Sequence, residues 1–349
     1  MTDNIEEDDF WETQDDSPIV KPSDVFTVNE VRSCRELYDM IRDKTLTTHP
    51  KYQRNEVWNN DKQTRFIDSL AKQLPIPSLC ISNSNEEYQS IDGQQRLTTI
   101  YKFLSDEEWK LSKLDDVDSE LSGQTNNEIK KNPLLLNKIR NFMLPVTIIM
   151  CDYTKESHLE YIFKIFHRLN STAEVLNNQE IRNCVYSGSL NDLLNKMGNL
   201  EKFVTLKKLN KKALNRLSGS EGVLIFLSFY DNIKNYQGKL TSFLNQYMIK
   251  NKNQTVGWIE SRENLFVDTL QIMSKIDNLK QSNAMFYPVM YGIAKNINSL
   301  KSTNQSTLNN LYSKLEGNDA FSTDELKGGT WTKGKIEKRF ELAQKIFCI

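Results

Sequence analysis

Histidine is scarce in this chain. Only His49, His158 and His167 occur, and none stands in an HExxH pair or beside clustered cysteines, which leaves little for a zinc site. The five cysteines, Cys34, Cys80, Cys151, Cys184 and Cys348, are scattered, odd in number and never in a CxxC pair. They are expected to be reduced thiols that pack as small apolar groups. Neither a GxSxG elbow nor a GxGxxG loop is present, so two common catalytic and dinucleotide frameworks drop out. Gly329-Thr-Trp-Thr-Lys-Gly334-Lys335 has most of a Walker A loop. Ile336, however, stands where a hydroxyl should meet magnesium, and no apolar strand precedes it, so a flexible surface turn is expected there. No run approaches the roughly 18 residues of a membrane helix, and the N-terminus is acidic rather than basic-then-apolar, so no membrane association and a cytoplasmic location are expected.

What is present is ordinary in composition and uneven in charge. The 349 residues are 38% hydrophobic and 26% charged, with a net charge of −1. That length accommodates two domains. Residues 1–18 hold eight acids and no base, leaving 38 of the 46 acids against all 45 bases and a body that is mildly basic. An acidic tail over residues 1–20, carrying Phe10 and Trp11, is expected to be disordered.

Residues 21–154 read as mixed α and β. Val25, Val28 and Val31 suggest a strand leading into a helix from near Ser33, with Leu37, Tyr38 and Ile41 on one face. Tyr52-Gln53-Arg54 and Trp58 form a polar and aromatic loop before a helix capped near Asn60 or Asp61, and Pro75 and Pro77 end that helix. Leu79–Ile81 and Tyr88–Ile91 read as strands joined through residues 82–85. Residues 105–138 look like an excursion with few large apolar positions, and Leu144–Met150 is the most strand-like run. From residue 155 to 349 helical periodicity dominates, without a fixed repeat. The expected fold class is therefore α+β: a small mixed sheet with helices, then a mostly helical region, with the boundary near residue 155.

The centre of the chain is Tyr88-Gln-Ser-Ile-Asp92-Gly93-Gln94-Gln95-Arg96-Leu97, continuing to Leu104. Asp-Gly suits a hairpin turn equally well, but Leu97, Ile100, Tyr101 and Leu104 fall at helical spacing and predict strand, glycine turn and helix. The first turn of a helix has amide hydrogens without partners and the positive end of the dipole, so it seats phosphate. Gly93 permits positive φ, Gln94 and Gln95 orient a water or a phosphoryl oxygen, and Arg96 offers a fork of donors. Asp92 fits less directly, because a carboxylate repels phosphate unless it holds a metal, places the attacking water or caps the helix. A plain helix cap with a solvent-facing arginine explains the same residues. Arg54, Gln53 and Trp58 supply a second guanidinium and a stacking surface, or an ordinary loop whose tryptophan plugs the core. His167-Arg168-Leu-Asn170 and Leu176, Asn177 and Glu180 surround a helix end, where capping accounts for many of them.

Together these segments resemble the N-terminal domain of GmrSD-type modification-dependent restriction endonucleases, whose DGQQR motif they carry. The resemblance covers about residues 24–230 and extends loosely to the end through Asn283–Tyr287 and Lys338–Phe340. It implies a ParB- and sulfiredoxin-like fold and a nucleotide-binding, NTP-hydrolysing module of a prokaryotic restriction or phage-defence system, with turnover regulating DNA binding or cleavage. Carried over, Asp92, Gln94, Gln95 and Arg96 are the catalytic candidates. Gln53, Arg54, Trp58, Gly93, Arg96 and Asn170 are the nucleotide-binding ones, and Mg²⁺ accompanies the NTP. Two departures stand out. Ala173-Glu174 lies where relatives commonly have a glycine, and no histidine follows His167 to build an HNH nuclease, so such a nuclease is expected as a partner in trans. A non-hydrolysing DNA-binding or partner-binding protein is the alternative, favoured by Lys202, Lys207, Lys208, Lys211, Lys212 and Arg216; a nuclease in its own right is another.

Overall fold

In a computed structural model of the chain, the residues described are 18–48, 58–169, 176–322, 325 and 329–349. Residues 1–17 of the acidic tail, Gln53, Arg54 and Asn170 lie outside them. The chain divides into two compact units, Ile19–Leu176 and Asn177–Ile349.

The first unit is built on a five-stranded mixed sheet. Its strands are β1 (Phe26–Ser33), β2 (Leu46–Thr47), β3 (Leu79–Ser84), β4 (Glu87–Asp92) and β5 (Met143–Met150), in the order β1-β5-β3-β4-β2. β5 lies antiparallel to β1 and parallel to β3, while β4 lies antiparallel to β3 and parallel to β2. Strands β3 and β4 run longer than expected and meet in a tight turn, with Asn85 and Glu86 both at positive φ (52° and 68°), the conformation that matches the twist of a hairpin. The helices are α1 (Cys34–Arg42), α2 (Asn60–Ala71), α3 (Gln94–Leu104), α4 (Asn126–Lys130), α5 (Pro133–Arg140) and α6 (Glu156–Leu169).

Alternation sends Leu79 and Ile81 of β3 and Leu144, Val146 and Ile148 of β5 into one core, shared with Leu37 of α1, Phe66, Ile67 and Leu70 of α2, and Leu97, Ile100 and Phe103 of α3. The 105–138 segment is no mere excursion. Trp109, Leu111, Val117, Leu121, Ile129, Leu135 and Ile139 join the same core, widely spaced in sequence because turns and short helices present them one at a time. The first unit also runs past the boundary expected near residue 155, because α6 packs against β4 and so belongs with the sheet.

The second unit is helical: α7 (Asn178–Val185), α8 (Ser189–Gly198), α9 (Glu201–Lys207), α10 (Lys211–Asn215), α11 (Ser218–Asn232), α12 (Leu240–Asn251), α13 (Val256–Met273), α14 (Asn283–Lys295), α15 (Ile297–Leu300), α16 (Gln305–Glu316) and a last helix, Lys333–Ile346. α11 is its axis, buried continuously from Gly219 to Phe229. α8 approaches it at Gly198 and Gly219, where a Cβ on either glycine would overlap the backbone of the other helix. The Gly329–Lys335 stretch is not a free surface turn. Trp331 is buried and stacked on Phe229 with centroids 6.1 Å apart, and buried Arg339 donates to the carbonyl of Thr330. Among the described residues no helix is long and apolar enough to cross a membrane.

Candidate functional site

β4 delivers the chain to Asp92, Gly93 turns it, and Gln94 starts α3. Gly93 has φ +93° and ψ 12°, the left-handed region. A Cβ there would also overlap the side chain of Leu79, so both conformation and space demand glycine. Gly93 has no side chain to cap the helix, and no side-chain cap bond is present. In the same unit α1, α2, α4 and α5 are capped by Ser33, Asn59, Thr125 and Asn132 respectively. The first turn of α3 therefore begins at the end of a strand without a side-chain cap, at the positive end of the helix dipole.

The structure settles where Asp92 and Arg96 sit. One amino nitrogen of Arg96, Nη2, donates to Asp92 Oδ2 at 3.0 Å and to the Ser78 carbonyl at 3.4 Å, while Nη1 donates to the Pro77 carbonyl. The guanidinium side chain is only 12% exposed, and burial depresses its pKa against the opposing pull of Asp92. This is a clamp, not a solvent-facing arginine. It ties the helix to the segment entering β3, and it neutralises Asp92, which removes the objection that a carboxylate would repel phosphate. Pro77 and Ser78 are the participants that residue types did not indicate: they act through backbone carbonyls, which leave no mark in a sequence.

Gln94 and Gln95 occupy the first turn of α3. The Gln95 side-chain oxygen accepts the backbone N–H of Trp58 at 3.2 Å. Trp58 packs its ring edge-on to Phe66, with centroids 5.6 Å apart, at the border of the core. So Trp58 serves as a plug, and Gln95 ties the loop preceding α2 to the motif. α3 itself buries Leu97, Thr99, Ile100 and Phe103, while Tyr101, expected on the apolar face, is 38% exposed and stacks on Tyr38 at 5.5 Å.

The downstream residues divide between the two units. His167 and Arg168 fill the last turn of α6. Asn177 and Glu180 belong to the helical unit and form a reciprocal capping box at the start of α7. Glu180 also pairs with Arg216 at 3.1 Å.

A concavity of about 440 Å³ lies at the opposite end of the sheet from Asp92, lined in part by Asp24, Asn83, Asp152, Lys155 and His158. Buried His158 accepts the Asp152 N–H on Nδ1 at 2.9 Å, so its proton is on Nε2, directed at Asp24 Oδ1 2.8 Å away. The Lys155 ammonium and then His158 hold the Asp24 carboxyl down to about 2. This cluster latches the segment before β1 to α6.

The fold and site define an α+β domain with an Asp-Gly-Gln-Gln-Arg strand-to-helix junction. Residues 34–187 match the family model of the GmrSD restriction endonuclease, N-terminal domain, the family whose motif the sequence carries. The likeness is therefore to one domain of a restriction enzyme. No curated protein and no solved structure matches the chain.

Proposed function

We propose that this domain binds a nucleoside triphosphate at the start of α3 and hydrolyses it, and that turnover governs DNA binding or cleavage by the restriction system. The observation that carries the reading is the first turn of α3, which has no side-chain cap and is reached through a glycine in the left-handed region against Leu79. A phosphate placed there meets the positive end of the helix dipole at a start that has no side-chain cap. In this reading Gln94 places the attacking water or a phosphoryl oxygen. Gln95 holds the backbone of Trp58, which follows Gln53 and Arg54 in the sequence. Asp92 and Arg96 keep the junction rigid, and Arg54 adds the second positive charge.

Magnesium fits this arrangement only in a particular way. Among the described residues no three His, Cys, Asp or Glu side chains converge, so a Mg²⁺ entering with the NTP would be held mainly by phosphate oxygens and water, with Asp92 the one motif carboxylate within the site. Bound there, it would neutralise charge on the phosphates. The test is phosphate release from each of the four NTPs by the purified chain with Mg²⁺, with and without DNA. The reading expects turnover of at least one NTP, lost in Gln94→Ala while the melting temperature holds. Wild-type protein that neither binds nor turns over any NTP would refute it.

A further inference from the structure

The second unit carries a feature that nucleotide chemistry does not use. Between residues 202 and 220 the chain has five lysines and one arginine and no acid. Two of these six bases are structural. Lys207 donates to the Gln281 carbonyl and to Asn283 Oδ1, the latter at 2.7 Å, and lies over the rings of Phe286 and Tyr287 at 4.9 and 5.5 Å. Arg216 pairs with Glu180, and its carbonyl accepts from Asn177 Nδ2 at 2.8 Å. Phe203, fully buried against Phe266 and Phe286, pins α9 from beneath. Asn210 caps α10 through the Ala213 N–H at 2.8 Å.

The other four, Lys202, Lys208, Lys211 and Lys212, are exposed, and none has an ion-pair partner among the described residues. Three other lysines of the unit meet carboxylates, Lys196 with Glu263 at 2.6 Å, Lys280 with Glu316 at 2.9 Å and Lys301 with Asp268 at 2.7 Å, while further exposed lysines such as Lys234, Lys250 and Lys314 are dispersed along the sequence rather than clustered. The α9–α10 segment thus presents four positive charges without ion pairs, against the single exposed carboxylate of Glu201, on a fixed base, which loses little entropy when they are engaged.

We infer that α9 and α10 form a docking surface for the phosphate backbone of duplex DNA, read without sequence preference. The charges are ammonium groups suited to phosphates. The one aromatic residue of the segment, Phe203, is buried, so there is no platform on which unpaired bases would stack. None of the large exposed apolar side chains lies within it, so the insertion that a lipid surface requires is missing. The inference draws on the restriction-family reading and is independent of NTP turnover.

The test is fluorescence anisotropy of the full chain with a labelled duplex of random sequence across a salt series, without nucleotide. Lys202→Ala/Lys208→Ala/Lys211→Ala/Lys212→Ala should weaken binding on the order of 100-fold near 0.1 M salt and flatten the log affinity against log salt slope by about 3 to 4. The corresponding Lys→Arg variant should retain affinity. Both should melt with the wild type and, wherever turnover is measurable, hydrolyse NTP without DNA at its rate, so that a failure here is distinct from a failure of the nucleotide reading. Equal affinity and slope in the alanine variant would overturn the inference. So would DNA binding that emerges only after the eight acids of residues 1–18 are changed to Asn or Gln, because the surface would then belong to the chain's own N-terminal segment.

Discussion

Helices α3 and α7 begin in opposite ways, and the difference separates a place for a ligand from a place that is finished. At α7, Asn177 accepts the Glu180 N–H at 2.8 Å while the Glu180 carboxylate accepts the Asn177 N–H at 2.7 Å, so the helix start is satisfied from within. Behind it, Arg182 is entirely buried, donating to Asn245 Oδ1 at 2.8 Å and to Glu221 Oε1 at 3.2 Å. At α3 the position of the cap is a glycine, and the polar side chains nearby point backward, Arg96 to Asp92 and the β3 entry and Gln95 to Trp58. The same residue classes (amide, carboxylate, guanidinium) close one helix with a capping box and leave the other without a side-chain cap. What decides is whether a side chain reaches the first-turn amides.

The largest expected effect that sharpens this contrast comes from Gly93→Val. It forces a β-branched residue to positive φ against Leu79 and should cost about 2–4 kcal/mol in denaturant unfolding. Stability close to wild type would mean that the turn is not held as described.

Next is a pH dependence confined to the closed side. Burial pushes the Glu221 carboxyl up to about 7, against the pull of Arg182 and with Glu180 adding to the rise. A folded-state pKa above the ordinary 4.5 means that the protonated form is favoured on folding. The stabilisation linked to it is therefore complete below about 4.5 and is lost as the pH rises toward 7. Melting temperatures measured from pH 4 to 8 should show this decline, and Glu221→Gln should remove that component of it; an unchanged profile in the variant would assign the slope to other groups. Smaller still, Asn177→Ala should cost about 1 kcal/mol by removing the α7 cap. In calorimetry it should leave nucleotide affinity alone. A loss of affinity would make Asn177 part of the site after all.

The outline of this fold was legible because periodicity is local. The strand at Leu144–Met150, the helix after Arg96 and the longer apolar helices of the second unit such as α11 and α14 announce themselves within a dozen residues, whereas the short or polar α9, α10, α15 and α16 do not. The contribution of residues 105–138 to the core was not, since Trp109, Val117 and Leu121 are brought together by turns rather than by a repeat. The site was half legible. Gly93 was readable from its neighbours, because a strand pattern ends and a helix pattern starts around it. The clamp was not, because Arg96 is held by the carbonyls of Pro77 and Ser78, and a carbonyl is the same on every residue. The basic run at 202–216 was visible as a charge count. That Lys207 and Arg216 serve the fold, while four neighbours face outward unpaired, needed the packing.

The most direct test of the account is NTP hydrolysis by the wild type and by Gln94→Ala, each checked for an unchanged melting temperature. Gln94 lies in the open turn and outside the clamp. The account predicts turnover by the wild type, lowered on the order of 10- to 100-fold in the variant with stability intact. Equal turnover in the two proteins would contradict it.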